Sequence, residues 1–203
     1  MTTYDYLIRS VIVGDANVGK SNFLNSVLGI KFKREYSTTI GIEFGTKRIL
    51  YKNKNFKIQI WDTAGQERFR QLIYSYFKSS SVFFLMFDLS SKITFKNISY
   101  WIRQIYLLND ADKPFIILIG NKSDLQQTVD QNEIDNLVER NKLPYFEISL
   151  KSNQNVNEIY TKMVSTIYDN YISKNIQHPG LAGNALTLLQ EKPVKNRSYC
   201  YFL

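Results

Sequence analysis

The sequence has few of the features that mark secreted or membrane-inserted proteins. Its one cysteine, Cys200, excludes an intramolecular disulfide and is typical of a reducing compartment. No apolar run approaches the roughly 18 to 20 residues of a membrane-spanning helix, and the N-terminus lacks the apolar segment of a signal peptide. The sequence also shows no internal repeat. These absences favour a globular protein of a reducing compartment.

The charge balance is basic but carries no nucleic-acid signature. The formal net charge is +8, with 44% hydrophobic and 22% charged residues, an ordinary composition for a globular protein. The basic residues are spread along the chain and form no stripe interleaved with aromatic residues. We therefore expect them to be mainly solvated surface, and we predict no nucleic-acid partner. They include Lys31, Lys33, Arg34, Lys47, Arg48, Lys52, Lys54 and Lys57.

The most informative segment is GDANVGKS at residues 14–21, which lies between an apolar run and an amphipathic helical pattern. A G-x-x-x-x-G-K-S loop between a strand and a helix is typical of a phosphate-binding P-loop. Its backbone N–H groups and the positive end of the helix would bind an anion. An accidental glycine turn is the alternative. The predicted nucleotide-binding residues here are Asp15, Ala16, Asn17, Val18, Gly19, Lys20, Ser21 and Asn22; Lys20 would reach the β- and γ-phosphates and Ser21 would bind Mg²⁺.

Further apolar runs alternate with helical patterns, which favours a doubly wound α/β sheet. Residues 82–87 and 115–119 are continuous apolar runs, typical of parallel strands buried on both faces. Residues 42–50 and 56–61 flank a polar turn and predict a hairpin. We predict a P-loop NTPase fold: a six-stranded, mostly parallel sheet with one antiparallel strand and helices on both faces. The other predicted strands are residues 6–13 and 145–148, and helices are predicted at about 95–108, 131–141 and 156–172.

The pattern ends near Lys174. We therefore predict one domain at residues 5–173, of about 170 residues, and a flexible tail at residues 174–203.

Asp62 ends a predicted strand and is followed by Thr-Ala-Gly-Gln. A carboxylate at a strand end beside a P-loop is the Walker-B arrangement that holds Mg²⁺. Gly65 would offer its N–H to the γ-phosphate, and Gln66 would orient the attacking water, so Gln66 and Lys20 are the predicted catalytic residues. A turn-forming aspartate and an exposed loop glutamine are the alternatives.

The base is predicted from NKSD at residues 121–124, directly after a buried strand. The Asp124 carboxylate can accept hydrogen bonds from the N1–H and 2-amino groups of guanine. Adenine lacks both donors and would leave the carboxylate unpaired, a loss worth roughly 10⁴-fold or more. Asn121 would brace the loop and Lys122 would lie along the base.

These segments, together with YSTTIGIEF at residues 36–44 and SLK at residues 149–151, resemble the five guanine-nucleotide motifs of the Ras superfamily. The resemblance covers residues 5 to 172 in the right order. IGIEF at residues 40–44 and WDTAGQERFR at residues 61–70 are most similar to Rab GTPases.

The resemblance implies further roles. Thr39 would bind Mg²⁺ and the γ-phosphate, and Phe32 would pack across the guanine. Ser149, Leu150 and Lys151 would brace the base, with Leu150 in place of the usual alanine. The implied effector surface consists of Ile40, Gly41, Phe44, Trp61 and Tyr76; without the family, the three aromatic residues would be read as core.

The P-loop departs from the Rab pattern at two positions. Ala16 replaces a serine and Asn17 replaces a frequent glycine. Asparagine tolerates positive φ better than most residues, and alanine is no bulkier than serine. We therefore expect the loop to form and hydrolysis to survive.

The tail ends in CYFL, a C-a-a-X box whose terminal leucine predicts geranylgeranylation of Cys200. One lipid chain gives reversible membrane binding unless a second signal assists. Lys192, Lys195 and Arg197 would supply about 1 kcal/mol each near an anionic leaflet.

The resemblance therefore implies a monomeric Rab-type GTPase that hydrolyses GTP to GDP with Mg²⁺ and regulates vesicle traffic. It implies an exchange factor, a GTPase-activating protein, effectors and a prenyl-binding escort or GDP-dissociation inhibitor. The protein would cycle between cytosol and the cytoplasmic face of intracellular membranes. The alternatives are a Ras-like signalling GTPase, a GTP-binding scaffold with negligible hydrolysis, and a P-loop kinase for a small metabolite.

Overall fold

A mixed β-sheet is the central element of the fold. The computed structural model describes residues 4–32, 42–63, 76–78, 80–109, 114–174 and 181–183. The strands are β1 Tyr6–Val13, β2 Ile42–Tyr51, β3 Lys54–Thr63, β4 Val82–Asp88, β5 Phe115–Asn121 and β6 Tyr145–Ile148. Their main order in the sheet is β2-β3-β1-β4-β5-β6. The described helices are α1 Lys20–Val27, α2 Lys92–Lys96, α3 Ile98–Leu108, α4 Gln131–Asn141 and α5 Val156–Ile167. The predicted fold class is confirmed.

The sheet is parallel except for the β2–β3 hairpin, as the sequence predicted. Lys52 and Asn53 form the hairpin turn with φ of 46° and 59°. Two successive positive φ values match the right-handed twist of the two strands. The turn is shorter than predicted, because Lys54 and Asn55 already pair with β2.

Two apolar cores lie on opposite faces of the sheet, and β4 contributes to both. Every residue of β4 is buried, and because side chains alternate along a strand, Phe84 lies in one core and Phe83 in the other. Helices α1 and α5 cover the first core, and helices α3 and α4 cover the second. A strand buried on both faces is held rigidly, so the loops at its end have a fixed base.

Two predicted helices differ in detail from the structure. The predicted helix 95–108 is two helices, α2 and α3, that meet at Asn97. The predicted helix 156–172 is α5 followed by a wider π-helical segment, Tyr168–Ile172. Helix α4 has the predicted bounds; the Asp130 carboxylate caps it by accepting a 2.7 Å hydrogen bond from the backbone N–H of Asn132.

A seventh short strand, β7 (Leu181–Gly183), pairs antiparallel with Tyr6–Ile8 of β1. Strand β3 occupies one edge of β1, and β4 joins the other edge only from Ser10 onward. Strand β7 therefore satisfies backbone groups that β4 leaves open. The prediction of a flexible tail differs from the structure at these three residues. No described helix is long and apolar enough to cross a bilayer.

Tyr160 is a buried polar residue in the first core. Its ring lies 5.7 Å from that of Phe23 and 5.9 Å from that of Phe84. Burial raises the pKa of its hydroxyl well above the usual value, and the hydroxyl has no hydrogen-bond partner among the described residues.

We expect Tyr160→Phe to keep the ring contacts and to leave the free energy of unfolding unchanged or about 1 kcal/mol higher, because it removes only the buried hydroxyl. Urea unfolding followed by circular dichroism measures this value. Tyr160→Ala, the control, should cost about 3 to 5 kcal/mol. A loss above about 1 kcal/mol in Tyr160→Phe would show that the hydroxyl is satisfied.

Candidate functional site

The predicted motifs converge at one edge of the sheet. The P-loop follows β1, Asp62 lies near the end of β3, and residues 121–124 follow β5. Ser149 to Lys151 follow β6. Because β1, β3, β5 and β6 are parallel, their carboxyl ends share an edge, where open α/β sheets bind ligands.

The P-loop needs backbone conformations that few residues adopt. Gly14 and Gly19 have φ of 142° and 103°, and Asn17 has φ of 65°. A Cβ at Gly14 would collide with the carbonyl oxygen of Met86, and one at Gly19 with the side-chain amide of Asn121. Glycine is therefore required twice for close approach as well as for φ. Asn17 accommodates the left-handed conformation, as the sequence predicted.

Lys20 begins helix α1 and is 6% exposed. Its Nζ donates hydrogen bonds to the backbone carbonyls of Gly14 at 3.0 Å and Asp15 at 2.7 Å. Burial lowers the pKa of the Lys20 ammonium to about 8, against the opposing attraction of Asp62 and Asp15. A desolvated cation inside the loop gains most from a bound anion, so Lys20 is suited to a phosphate.

Ser21 and Asp62 form a pair of oxygen ligands beside Lys20. The Ser21 hydroxyl donates a 2.5 Å hydrogen bond to Oδ2 of Asp62, and Asp62 is fully buried. Hydroxyl and carboxylate oxygens are ligands that Mg²⁺ accepts, and Mg²⁺ is usually completed by waters and substrate phosphates. The described residues hold no cluster of three acidic, histidine or cysteine side chains. The donor set therefore fits a Mg²⁺ ion shared with a phosphate ligand.

Asn121 joins the P-loop to the loop after β6. It is 3% exposed; its side-chain Nδ2 donates a 2.8 Å hydrogen bond to the carbonyl of Val18, and its Oδ1 accepts one from the backbone N–H of Leu150 at 3.4 Å. The amide therefore ties together three segments that are distant in sequence. Because Leu150 makes this contact through its backbone N–H, leucine in place of alanine leaves the contact intact.

Asp124 is fixed from two sides. Its Oδ1 accepts a 2.6 Å hydrogen bond from the Ser149 hydroxyl, and its Oδ2 lies 3.4 Å from Nζ of Lys151. The Ser149 hydrogen bond, aided by Lys151, lowers the pKa of the Asp124 carboxyl. The group is therefore an ionised, oriented acceptor at neutral pH.

Lys122 is oriented by a residue that the sequence analysis missed. Its backbone has φ of 69°, and its Nζ lies 2.6 Å from Oδ2 of Asp88 at the end of β4. Asp88 Oδ1 in turn accepts hydrogen bonds from the backbone N–H and hydroxyl of Ser90. An acidic residue that ends a buried strand was the available signal for Asp88.

A cleft of about 250 Å³ brings most predicted base-binding residues together. It adds Leu125, which the sequence analysis did not predict. The lining residues are Asn17, Gly19, Asn22, Phe32, Asn121, Lys122, Asp124, Leu125, Leu150 and Lys151. Phe32 is 41% exposed, a position suited to closing over a ligand.

Three aromatic rings form a continuous surface cluster. The Phe44 and Trp61 ring centroids are 4.5 Å apart, and those of Trp61 and Tyr76 are 4.8 Å apart. Phe44 is 46% exposed, whereas Trp61 and Tyr76 are half-buried against the second core. The three rings contact the core and also leave an edge exposed. The core interpretation and the effector-surface interpretation therefore each describe only part of their environment.

Six predicted site residues lie outside the described residues. They are Thr39, Ile40, Gly41, Gly65, Gln66 and Cys200.

Comparison with known proteins agrees with this geometry. A sequence model of the Ras family matches residues 9–169. The Ras-related protein Rab-27B of Homo sapiens is 38% identical, across 97% of this chain and 98% of its own length. The Ras-related protein rab-11.1 of Caenorhabditis elegans is 36% identical, across 92% and 90%. The Ras-related protein Rab-11C of Dictyostelium discoideum is 38% identical, across 84% and 76%.

These matches cover the P-loop, the Mg²⁺-type oxygen pair and the Asp124 pocket together. They do not favour a Ras-like signalling role, and GTP hydrolysis by the family opposes a scaffold without activity. The chain therefore belongs to the Rab family of small GTPases in the Ras superfamily, which bind GTP and GDP, hydrolyse GTP and act in vesicle trafficking.

Proposed function

We propose that this chain reads guanine with Asp124 and holds the phosphates with the P-loop, so that its GTPase cycle depends on one cleft at the end of the sheet. The observation that carries the proposal is the Asp124 carboxylate, held by Ser149 and Lys151 in the cleft that Gly19 also lines. A selective acceptor and an anion cradle within one cleft fit a guanine nucleotide.

Asp124 keeps acceptor capacity on both oxygens. Ser149 and Lys151 each use one site on a different oxygen, and an ionised carboxylate has about four acceptor sites. The remaining sites would accept the N1–H and 2-amino groups of guanine. Lys122, fixed by Asp88, would lay its aliphatic stem along the base.

Ser21 and Asp62 would hold Mg²⁺, and Lys20 would donate to the β- and γ-phosphates. When bound, Mg²⁺ offsets charge on the phosphate oxygens. Lys20 would exchange its two loop carbonyls for phosphate oxygens, which are stronger acceptors for an ammonium because they are charged.

Hydrolysis would involve residues outside the described part. Gln66 would orient the attacking water, Gly65 would donate its N–H to the γ-phosphate, and Thr39 would join the Mg²⁺ ligands. We expect slow turnover alone and acceleration by an activating protein that supplies an arginine to the transferred phosphoryl group.

Effectors would bind the aromatic cluster Phe44–Trp61–Tyr76, together with Ile40 and Gly41. Exposed aromatic surface is enriched where proteins bind one another. Trp61, the central ring of the cluster, lies on β3 next to Asp62, so the nucleotide site and this surface share one strand.

Membrane attachment would use a geranylgeranyl group on Cys200. A prenyl-binding escort or GDP-dissociation inhibitor would extract the lipid, and the protein would cycle between cytosol and the cytoplasmic face of intracellular membranes. Residues 5–173 would form the GTPase domain and residues 174–203 the tail, with β7 docked on β1.

We expect Asp124→Ala to abolish the preference for GDP over IDP, which lacks the 2-amino group. In the wild type, that hydrogen bond to a charged acceptor should favour GDP by about 10- to 100-fold. Competition against a fluorescent nucleotide measures both dissociation constants. Lys162→Met, at an exposed lysine that does not line the cleft, is the control and should keep the preference; an Asp124→Ala protein that also keeps it would contradict the assignment.

Removal of Mg²⁺ tests the oxygen pair. We expect Ser21→Ala to raise the Mg²⁺ concentration that half-maximally slows GDP release by about tenfold or more, because a first-turn oxygen ligand is lost. Ser26→Ala is a matched control in the same helix, since its hydroxyl donates a 2.7 Å hydrogen bond to the carbonyl of Phe23 within that helix. Equal Mg²⁺ requirements for the two variants would argue against Ser21 as a ligand.

Cys200→Ser should move the protein from the membrane fraction to the soluble fraction of cells, because the thiol carries the lipid. Fractionation with immunodetection measures the distribution, and Ser198→Ala serves as the neighbouring control. Persistent membrane binding of Cys200→Ser would exclude Cys200 as the anchor.

A further inference from the structure

The side chain of Asp15 binds a helix rather than the cleft. Its Oδ1 accepts a 2.9 Å hydrogen bond from Nε1 of Trp101, and its Oδ2 accepts a 2.6 Å hydrogen bond from Nδ2 of Asn97. Both carboxylate oxygens of a P-loop residue are therefore held by the first turn of α3. The phosphate-binding motif G-x-x-x-x-G-K-S requires no particular side chain at this position.

The two donors stand on a rigid base. Asn97 and Trp101 are four residues apart, so they lie on one face of the helix, and the backbone N–H of Trp101 donates to the carbonyl of Asn97 at 3.1 Å. Trp101 is 4% exposed and packs in the second core with Ile105 and the strand residues Phe83 and Phe87. Movement of these donors would require repacking of that core.

The other end of Asp15 touches the phosphate-binding lysine. The backbone carbonyl of Asp15 accepts the 2.7 Å hydrogen bond from Nζ of Lys20. The residue thus contacts α3 through its side chain and Lys20 through its backbone. Its neighbour Gly14 has φ of 142° and, as a glycine, has no side chain that could restrain this part of the loop. The Asp15 carboxylate is therefore a second side-chain restraint on this part of the loop, beside the Lys20 ammonium.

We propose that Asn97 and Trp101 are positioning residues for the nucleotide phosphates: through the Asp15 carboxylate they fix the first peptides of the P-loop and, with them, the place of Lys20. The inference rests on the proposed phosphate role of Lys20. We call the contacts of Asp15 with Asn97 and Trp101 the clamp. Loss of the clamp should affect only the phosphate half of the site, because these three residues make no contact with Asp124 or Ser149 in the base half.

The affected step is nucleotide retention. When the clamp is lost, the loop must be ordered by the nucleotide itself, and that ordering cost lowers affinity. GDP should therefore dissociate faster, while the ratio of GDP to IDP affinity stays at its wild-type value. A general loosening of the domain would change both the GDP dissociation rate and the ratio of GDP to IDP affinity. An unchanged ratio therefore distinguishes a positioning role from a loss of structure.

The experiment measures dissociation of fluorescently labelled GDP from the full chain loaded with Mg²⁺·GDP. Asp15→Ala removes the acceptor, and Trp101→Phe keeps an aromatic ring but removes the N–H donor. We expect each variant to speed dissociation, with about a tenfold effect for Asp15→Ala, from the size of hydrogen bonds to charged groups. The variant that combines Asp15→Ala with Trp101→Phe should release GDP at the same rate as Asp15→Ala, because the two residues share one interaction.

Two further variants serve as controls. Ile105→Val removes one methylene from the same buried helix face and should leave the dissociation rate within about twofold while lowering stability by about 1 kcal/mol. Asp15→Asn should restore most of the wild-type rate, since its carbonyl can accept from Trp101 while its amide donates to a rotated Asn97 side chain.

The proposal is overturned if Asp15→Ala or Trp101→Phe releases GDP at the wild-type rate, if their effects multiply, or if Ile105→Val speeds release as much. A changed GDP-to-IDP ratio in the clamp variants would also overturn it. If the wild type shows no preference for GDP over IDP, the result contradicts the base-reading role of Asp124 instead. The two failures are therefore distinguishable.

Discussion

The site depends on the side-chain amide of Asn121. One amide oxygen and one amide nitrogen join the carbonyl of Val18 to the backbone N–H of Leu150. That amide directly connects the P-loop after β1 to the loop after β6. Asn121 is buried, so loss of either partner would leave a polar group unsatisfied, at a cost of about 1 to 3 kcal/mol. In the proposed nucleotide site, this amide links the loop that would bind the phosphates to the loop that would brace the base.

The apolar cores give this arrangement its rigidity. Strands β4 and β5 are buried on both faces, and β5 ends at Asn121 itself. Gly19 completes the contact, since a Cβ there would occupy the space of the Asn121 amide. The close packing of core, glycine and amide explains how short loops can hold distances to within a hydrogen bond. The same logic applies on the other face, where Trp101 and Asp88 connect the second core to the P-loop and to Lys122.

Local patterns made much of the fold predictable from the sequence. The P-loop, the hairpin, the buried parallel strands and helix α4 all depend on residues that are near one another along the chain. The junction at Asn97 and the π-helical segment Tyr168–Ile172 were not predicted, because apolar periodicity does not record how a helix turn closes. Strand β7 was not predicted either. Its pairing depends on where β4 begins along β1, which is a property of the assembled sheet.

The same distinction between local patterns and the assembled fold applies to the site. Residue types at motif spacing identified Lys20, Ser21, Asp62 and Asp124, whereas the partners Asp88, Asn97 and Trp101 are 34, 82 and 86 residues from the groups they orient. Such pairs become neighbours only in the fold. The expectation that the basic residues are mainly solvated agrees with the structure. Lys52 is exposed although it pairs with Asp169 at 3.1 Å, and Lys47 is partly exposed with its Nζ 4.9 Å from the Tyr160 ring centroid.

If one buried amide joins the phosphate and base loops into a single nucleotide site, removal of that amide should weaken nucleotide binding. Isothermal titration of GDP into the Asn121→Ala protein measures this effect, with circular dichroism to establish that the variant is folded. We expect a folded variant to bind GDP at least about 100-fold more weakly than the wild type, because two hydrogen bonds and the alignment of both loops are lost together. A folded variant that binds GDP within about threefold of the wild type, less than the loss of a single hydrogen bond, would contradict it.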